Sequence, residues 1–242
     1  MSGKLTIHQA VQGMLKLQDS GDHATMIGIG PMSSNLLQAA FELARDEDFP
    51  LMFIASRNQV DMDEFGAGYV NNWDQGRFAA DIRKVADEVG YSGPYYLCRD
   101  HGGPWQRDEE RGAHIPEDEA MDIARRSFVA DMEAGFNLLM IDPTKDSYQI
   151  GKVIPLDVVL RRTIDLIDYL ETYHKEHGLP ERSWLASRLG RRRRASRSGN
   201  RIWQRSGTAR RHLTATERES ILCLRAQGCG IRQIARALNR SP

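Results

Sequence analysis

The segment "YYLCRDHGGPWQRD", residues 95–108, decides how this chain is read. It opens on a short apolar run with the length and flanks of a buried parallel strand. It then passes into Asp100, His101, Gly102, Gly103 and Pro104, with Trp105 and a Gln-Arg-Asp cluster behind. The two glycines let the backbone turn sharply and approach a ligand closely. A histidine at such a strand end can bind a divalent cation through neutral imidazole, while the adjacent aspartate moves a proton or orients a substrate. The competing structural reading makes Asp100 the cap of the following turn and His101 a solvated loop residue.

Three similar apolar runs surround this one: "ATMIGIG" (24–30), "PLMFIAS" (50–56) and "NLLMID" (137–142). A helical pattern follows each. "SSNLLQAAFELARDED" starts on capping serines. "DQGRFAADIRKVADEVG" starts on Asp74 and stops at Gly90. "PEDEAMDIARRSFVADMEAG" places a proline and acids in its first turn and ends at Gly135. The longest, "PLDVVLRRTIDLIDYLETYHKEHG", carries a stripe of Val158, Leu160, Ile164, Ile167 and Leu170, and another helix is expected at about residues 6 to 18. Alternating strands and helices predict a parallel α/β architecture, and both a closed barrel and an open doubly wound sheet begin this way. The turn "GIGPMSSN" lacks the third glycine of a dinucleotide fingerprint, and no acid closes the second strand. Polar residues instead gather just past the strand ends: Asn58 and Gln59, Asp100 and His101, Asp142 and Thr144. In barrels that face is where chemistry is built.

Charge divides the chain. Residues 1–180 hold 17 Lys+Arg against 30 Asp+Glu, a balance of −13, and residues 181–242 hold 16 against 3, a balance of +13. The arginine-rich stretch 181–211, with its run Arg191, Arg192, Arg193 and Arg194, has no useful apolar periodicity and reads as a disordered linker. In "HLTATERESILCLRAQGCGIRQIARALNRSP" (212–242) two short helical patterns flank a Gly-Cys-Gly turn, the opening of a helix-turn-helix. The three cysteines, Cys98, Cys223 and Cys229, are too few for a disulfide framework and read as reduced thiols. No apolar run approaches the roughly 20 residues of a membrane span, and the N-terminus lacks a secretory pattern, so the expected location is the cytoplasm.

Three segments, "IASRNQVD" (54–61), "LCRDHGGPWQRD" (97–108) and "AGFNLLMIDPT" (134–144), resemble the strand ends of the class II tagatose-bisphosphate aldolase family, specifically its non-catalytic GatZ/KbaZ-type subunit. The resemblance covers about residues 20 to 180. It implies a TIM (β/α)8 barrel, here incomplete with about four βα units, that acts on phosphorylated ketohexoses in galactitol or N-acetylgalactosamine breakdown and supports a catalytic aldolase subunit. Some relatives resemble metal-dependent sugar epimerases. By the same resemblance Asp100 falls on a proton-transfer aspartate and His101 on a ligand of a divalent metal, zinc in the catalytic enzymes; Asn58, Gln59 and Asp142, at the strand ends, are the substrate-binding candidates. The further histidines that complete such a zinc site are not apparent; His114, His174 and His177 lie elsewhere in the pattern. The tail is similar to the helix-turn-helix of insertion-element transposases, which implies nonspecific, salt-sensitive nucleic-acid binding through the arginines. These resemblances imply an aldolase-subunit body joined to element-derived sequence, inactive on its own, with a nucleic-acid-binding fragment as the alternative.

Overall fold

The computed structural model describes residues 5–21 and 25–179, and the backbone of 184–187. The first helix, α1 (Ile7–Asp19), begins with a reciprocal cap in which Thr6 and Gln9 each bond the other's backbone N–H. Strand β1 (Ile27–Ile29) leads into α2 (Ser34–Glu47), whose Ser33 cap accepts from the Leu36 N–H at 3.2 Å. Strand β2 (Leu51–Ser56) is followed, after a loop with one 3-10 turn, by α3 (Gln75–Val89). Asp74 caps that helix through the Arg77 N–H, and Gly90 ends it in the left-handed region, as the sequence predicts.

Strand β3 (Tyr95–Gly102) runs further than its apolar residues do. Asp100 and His101 therefore belong to the strand's last residues and not to a loop. The short helix α4 (Asp108–Gly112) carries no apolar stripe and was not expected. Then come α5 (Glu117–Glu133) with three acids in its first turn, β4 (Leu138–Ile141) and α6 (Leu156–His177), closed by Gly178. The expected linker from residue 181 needs correction at its start. Residues Trp184–Ser187 form a fifth strand, β5, paired in parallel with β4 from Leu138–Trp184 to Ile141–Ser187. Four residues suffice because a strand added to an existing edge needs backbone groups more than a long apolar run.

All five strands are parallel, in the order β1-β2-β3-β4-β5. Each strand lies beside its successor, whereas a doubly wound sheet reverses direction at a switch point. Alternate residues of the sheet meet different helices. Leu51, Phe53, Ala55, Leu97, Leu139 and Ile141 pack with Phe41, Phe78, Phe128 and Leu166 of α2, α3, α5 and α6. Met52, Ile54, Tyr96 and Cys98 pack with Ile7 and Ala10 of α1. Gly28 lies against that second face, and a Cβ there would displace the Ile54 Cδ1 methyl, 2.3 Å away. Each fully buried phenylalanine stabilises the fold by roughly 1.5–3 kcal/mol relative to exposure.

The stripe expected on α6 is rotated. Val159, Leu166 and Leu170 are buried with Thr163, whereas Leu156, Leu160 and Ile164 are exposed. The described residues all fall within one unit of the chain, Met1–Arg194, and among them no helix is long and apolar enough to cross a membrane.

Candidate functional site

The C-terminal ends of β3 and β4 bring three of the expected residues together. The ladder between these strands pairs Arg99 with Leu139 and Gly102 with Ile141, so β3 advances three residues while β4 advances two. The extra residue is absorbed at a bulge where His101 takes the left-handed conformation, φ 47°. A non-glycine residue held there signals a constraint imposed by its surroundings. The constraint is visible on both sides. A Cβ on Gly102 would lie 2.3 Å from the Phe128 ring, and one on Gly103 would lie 2.6 Å from the Asp142 carbonyl oxygen. Gln106 Nε2 donates to that same carbonyl at 2.6 Å.

This geometry turns the imidazole toward β4. His101 Nδ1 lies 2.5 Å from Asp142 Oδ2, and its Nε2 lies 3.5 Å from Asp100 Oδ1. Asp142 is fully buried, and its other oxygen, Oδ1, accepts from the Thr144 hydroxyl at 2.5 Å and the Thr144 N–H at 3.2 Å. His101 and Asp100 are each about one-third exposed, at 35% and 36%. Asp142, expected on the substrate side, thus faces the histidine from the interior.

Asn58 and Gln59 are placed differently. Gln59 Oε1 accepts from the Ser56 N–H at 2.9 Å, and its Nε2 contacts Met32 Sδ at 3.0 Å. Asn58 Oδ1 accepts from the Asp108 N–H at 3.3 Å. Both side chains shape the loops behind β2. Of the remaining histidines, His177 Nδ1 lies 3.0 Å from the Tyr173 carbonyl, and His114 faces the Tyr148 ring.

Beneath the rim lies a polar network that sequence reasoning missed. Arg57 Nη1 donates to the Gly103 carbonyl and to Glu110 Oε2, both at 3.1 Å, and its Nε donates to Asp61 Oδ2 at 2.9 Å. Asp61 also accepts from Ser127 Oγ at 2.7 Å and lies 3.8 Å from Arg107. Two arginines face two acids, so the cluster is neutral and can be buried. Burial pushes the Glu110 carboxyl up from its ordinary range against the pull of Arg57. The only advance signal was the density of Arg and Asp within "SRNQVD" and "QRDEERG", which reads equally well as solvated surface.

The donor set for the expected divalent metal is incomplete. His101 and Asp100 would supply two donors, and no group of three or more His, Cys, Asp or Glu side chains suited to a metal ion occurs among the described residues. Cys98 is no candidate, since burial pushes its thiol up to about 12. Arg191, Arg192, Arg193 and Arg194, and the helix-turn-helix pattern at 212–242, lie outside the described residues.

The fold and rim define an α/β protein with a singly wound parallel sheet and a His-Asp cluster at its strand ends. Comparison with solved structures finds a similar protein, described as the crystal structure of a probable tagatose 6 phosphate kinase from Sinorhizobium meliloti 1021. The TM-score is 0.52 and the identity 25%, over 60% of this chain and 36% of that one. The chain thus spans about a third of the length of that relative. Residues 209–242 match a family described as a helix-turn-helix domain. No curated protein matches the sequence.

Proposed function

We propose that the body of this chain, residues 1–180, binds a phosphorylated ketohexose at the rim above β3 and β4, as an aldolase-accessory-like protein of carbohydrate breakdown. The observation that carries this reading is the likeness to the probable tagatose 6 phosphate kinase, a protein named for the same sugar. The sequential strand order supports reading the sheet as part of a (β/α)8 barrel, in which strand C-termini face the ligand. In this reading Asp100 handles the proton, His101 stands beside it, and Asn58, Gln59 and Asp142 act through the segments they hold in place. A catalytic aldolase subunit is the partner the reading calls for. No step runs through a metal, because the donors among the described residues do not complete a site.

Isothermal calorimetry of the full chain with D-tagatose 6-phosphate, against inorganic phosphate at equal concentration, tests the reading. Binding of the sugar phosphate, weakened at least tenfold in Asp100→Asn, is the expected result. No binding heat from the sugar phosphate overturns it.

A second reading concerns the tail, residues 181–242, which holds 16 Lys+Arg against 3 Asp+Glu and whose residues 209–242 match a helix-turn-helix domain. We propose that this segment binds duplex DNA without sequence preference, through Arg191 to Arg194 and the basic residues that follow. If all four of those arginines contact phosphates, replacing them with alanine lowers the slope of log affinity against log salt by about 3.6. A mobility shift with random duplex measures this, and no shift at low salt ends the reading.

A further inference from the structure

We propose that Met32 is a site of reversible oxidation by hydroperoxides, built so that the oxygen enters on one side of the sulfur. This goes beyond sugar-phosphate binding and does not depend on it.

Met32 lies in the loop between β1 and α2, just before the Ser33 cap, at the same end of the sheet as Asp100. It is 55% exposed, whereas the other described methionines are buried or partly buried. Its Sδ takes two donors of different accessibility. Gln59 Nε2, 3.0 Å away, belongs to a side chain only 7% exposed, and Oε1 of the same amide accepts from the Ser56 N–H, which fixes the amide's orientation. The Tyr69 hydroxyl, 3.6 Å away, belongs to a side chain 64% exposed. One sulfur lone pair is therefore held toward the interior, and the other faces the side that a solute reaches. That second lone pair attacks the terminal oxygen of a hydroperoxide. The S–O bond forms as the O–O bond breaks, the sulfur gives two electrons to the peroxide, and the proton of the transferred oxygen passes to the departing one, which leaves as water or an alcohol. The Tyr69 O–H donates to the transferred oxygen as it arrives. A sulfoxide oxygen accepts more strongly than a thioether, so the product fastens the loop behind β2 to the loop behind β1, where Asn71 Nδ2 already donates to Ser34 Oγ at 3.0 Å. Because the sulfoxide is chiral and each epimer has its own reductase, a one-sided entry selects the enzyme that reverses it.

Limiting hydrogen peroxide added to the full chain, followed by peptide mass spectrometry, tests this. Sulfoxide should form at Met32 at least about tenfold faster than at the buried Met121 and Met132. One epimer should exceed the other about fivefold, the ratio that one net hydrogen bond supports, as read by digesting the protein and treating the peptide with each of the two epimer-specific sulfoxide reductases. Gln59→Glu keeps an acceptor for the Ser56 N–H but cannot donate to Sδ, and in it the two epimers should become equal. Tyr69→Phe, a change on an exposed side chain, should slow oxidation of Met32 about fivefold and leave Met121 and Met132 unchanged. Faster oxidation of Met121 and Met132 in Gln59→Glu marks a loosened fold, and the Tyr69→Phe rate then decides. Equal epimers in the wild type, a bias kept in a folded Gln59→Glu, an unchanged Met32 rate in Tyr69→Phe, or oxidation of Met121 as fast as Met32 overturns the inference.

Discussion

Arg99 of β3 and Asp131 of α5 form a two-point ion pair in the fully buried interior, Nε to Oδ2 at 2.8 Å and Nη2 to Oδ1 at 2.5 Å. Arg99 also donates to the Ala55 and Val60 carbonyls, so one side chain ties β3 to α5, to β2 and to the loop behind it. Burial works against its charge, but Asp131 outweighs burial and holds the guanidinium above its ordinary range. Removing either partner strands the other charge in the interior, at a cost of about 3–5 kcal/mol. Asp131→Ala and Arg99→Ala should each show that loss in urea denaturation. The double variant Arg99→Met with Asp131→Leu should cost less than either, because no buried charge remains. Additive losses would contradict this account.

Acid should weaken the link between α5 and α6. Burial pushes the Glu117 carboxyl up, but hydrogen bonds from Arg162 and Arg161 outweigh it and leave it below its ordinary value of 4.5. A carboxylate lowered in the folded state adds stability above its unfolded value and loses it as pH falls through the folded value. Thermal unfolding followed from about pH 6 down to about pH 3 should therefore fall less steeply in Glu117→Gln than in the wild type. Parallel curves would remove Glu117 from the acid limb.

Gly103 should not tolerate a side chain. Its φ is 149° and a Cβ would sit 2.6 Å from the Asp142 carbonyl, which backbone cannot yield cheaply. Gly103→Ala should cost about 1–3 kcal/mol and displace His101 from Asp142. At Gly112 a Cβ meets nothing within 4 Å, and no left-handed φ is required. Gly112→Ala should be neutral or stabilising by about 0.4–1 kcal/mol, so the pair of melting temperatures separates close packing from a general intolerance of change.

The two faces of α6 should respond differently. Leu166 is fully buried against the sheet, and Leu166→Ala should cost about 2–5 kcal/mol. Leu160 and Ile164, exposed at 40% and 56%, should each be replaceable by serine within about 0.5 kcal/mol. Light scattering of the double serine variant should fall, since it removes exposed apolar surface.

The strand-helix alternation was legible because β2, β3 and β4 are nearly continuous apolar runs and the helices carry explicit caps, as at Ser33, Asp74 and Gly90, whereas β1, expected to be buried, has only three residues and leaves Ile27 exposed. β5 was not legible, since its four residues sit among arginines and its pairing depends on β4 lying alongside. The α6 stripe was misplaced by part of a turn because apolar residues occur on several of its faces, and only the packing partners choose among them.

Asp100, His101 and Asp142 could be named from the sequence because polar residues at strand ends mark one rim of such a sheet. Their division of labour could not. The bulge between Arg99 and Gly102 rotates His101 onto Asp142, a contact 41 residues apart in the chain, and Thr144 fixes the carboxylate from behind. The residue types and their order determined the strand-helix repeat, the charged tail and the candidates for chemistry. Tertiary structure decided the strand order and which candidate faces solvent or interior, because hydrogen bonds between distant segments are set by register and packing.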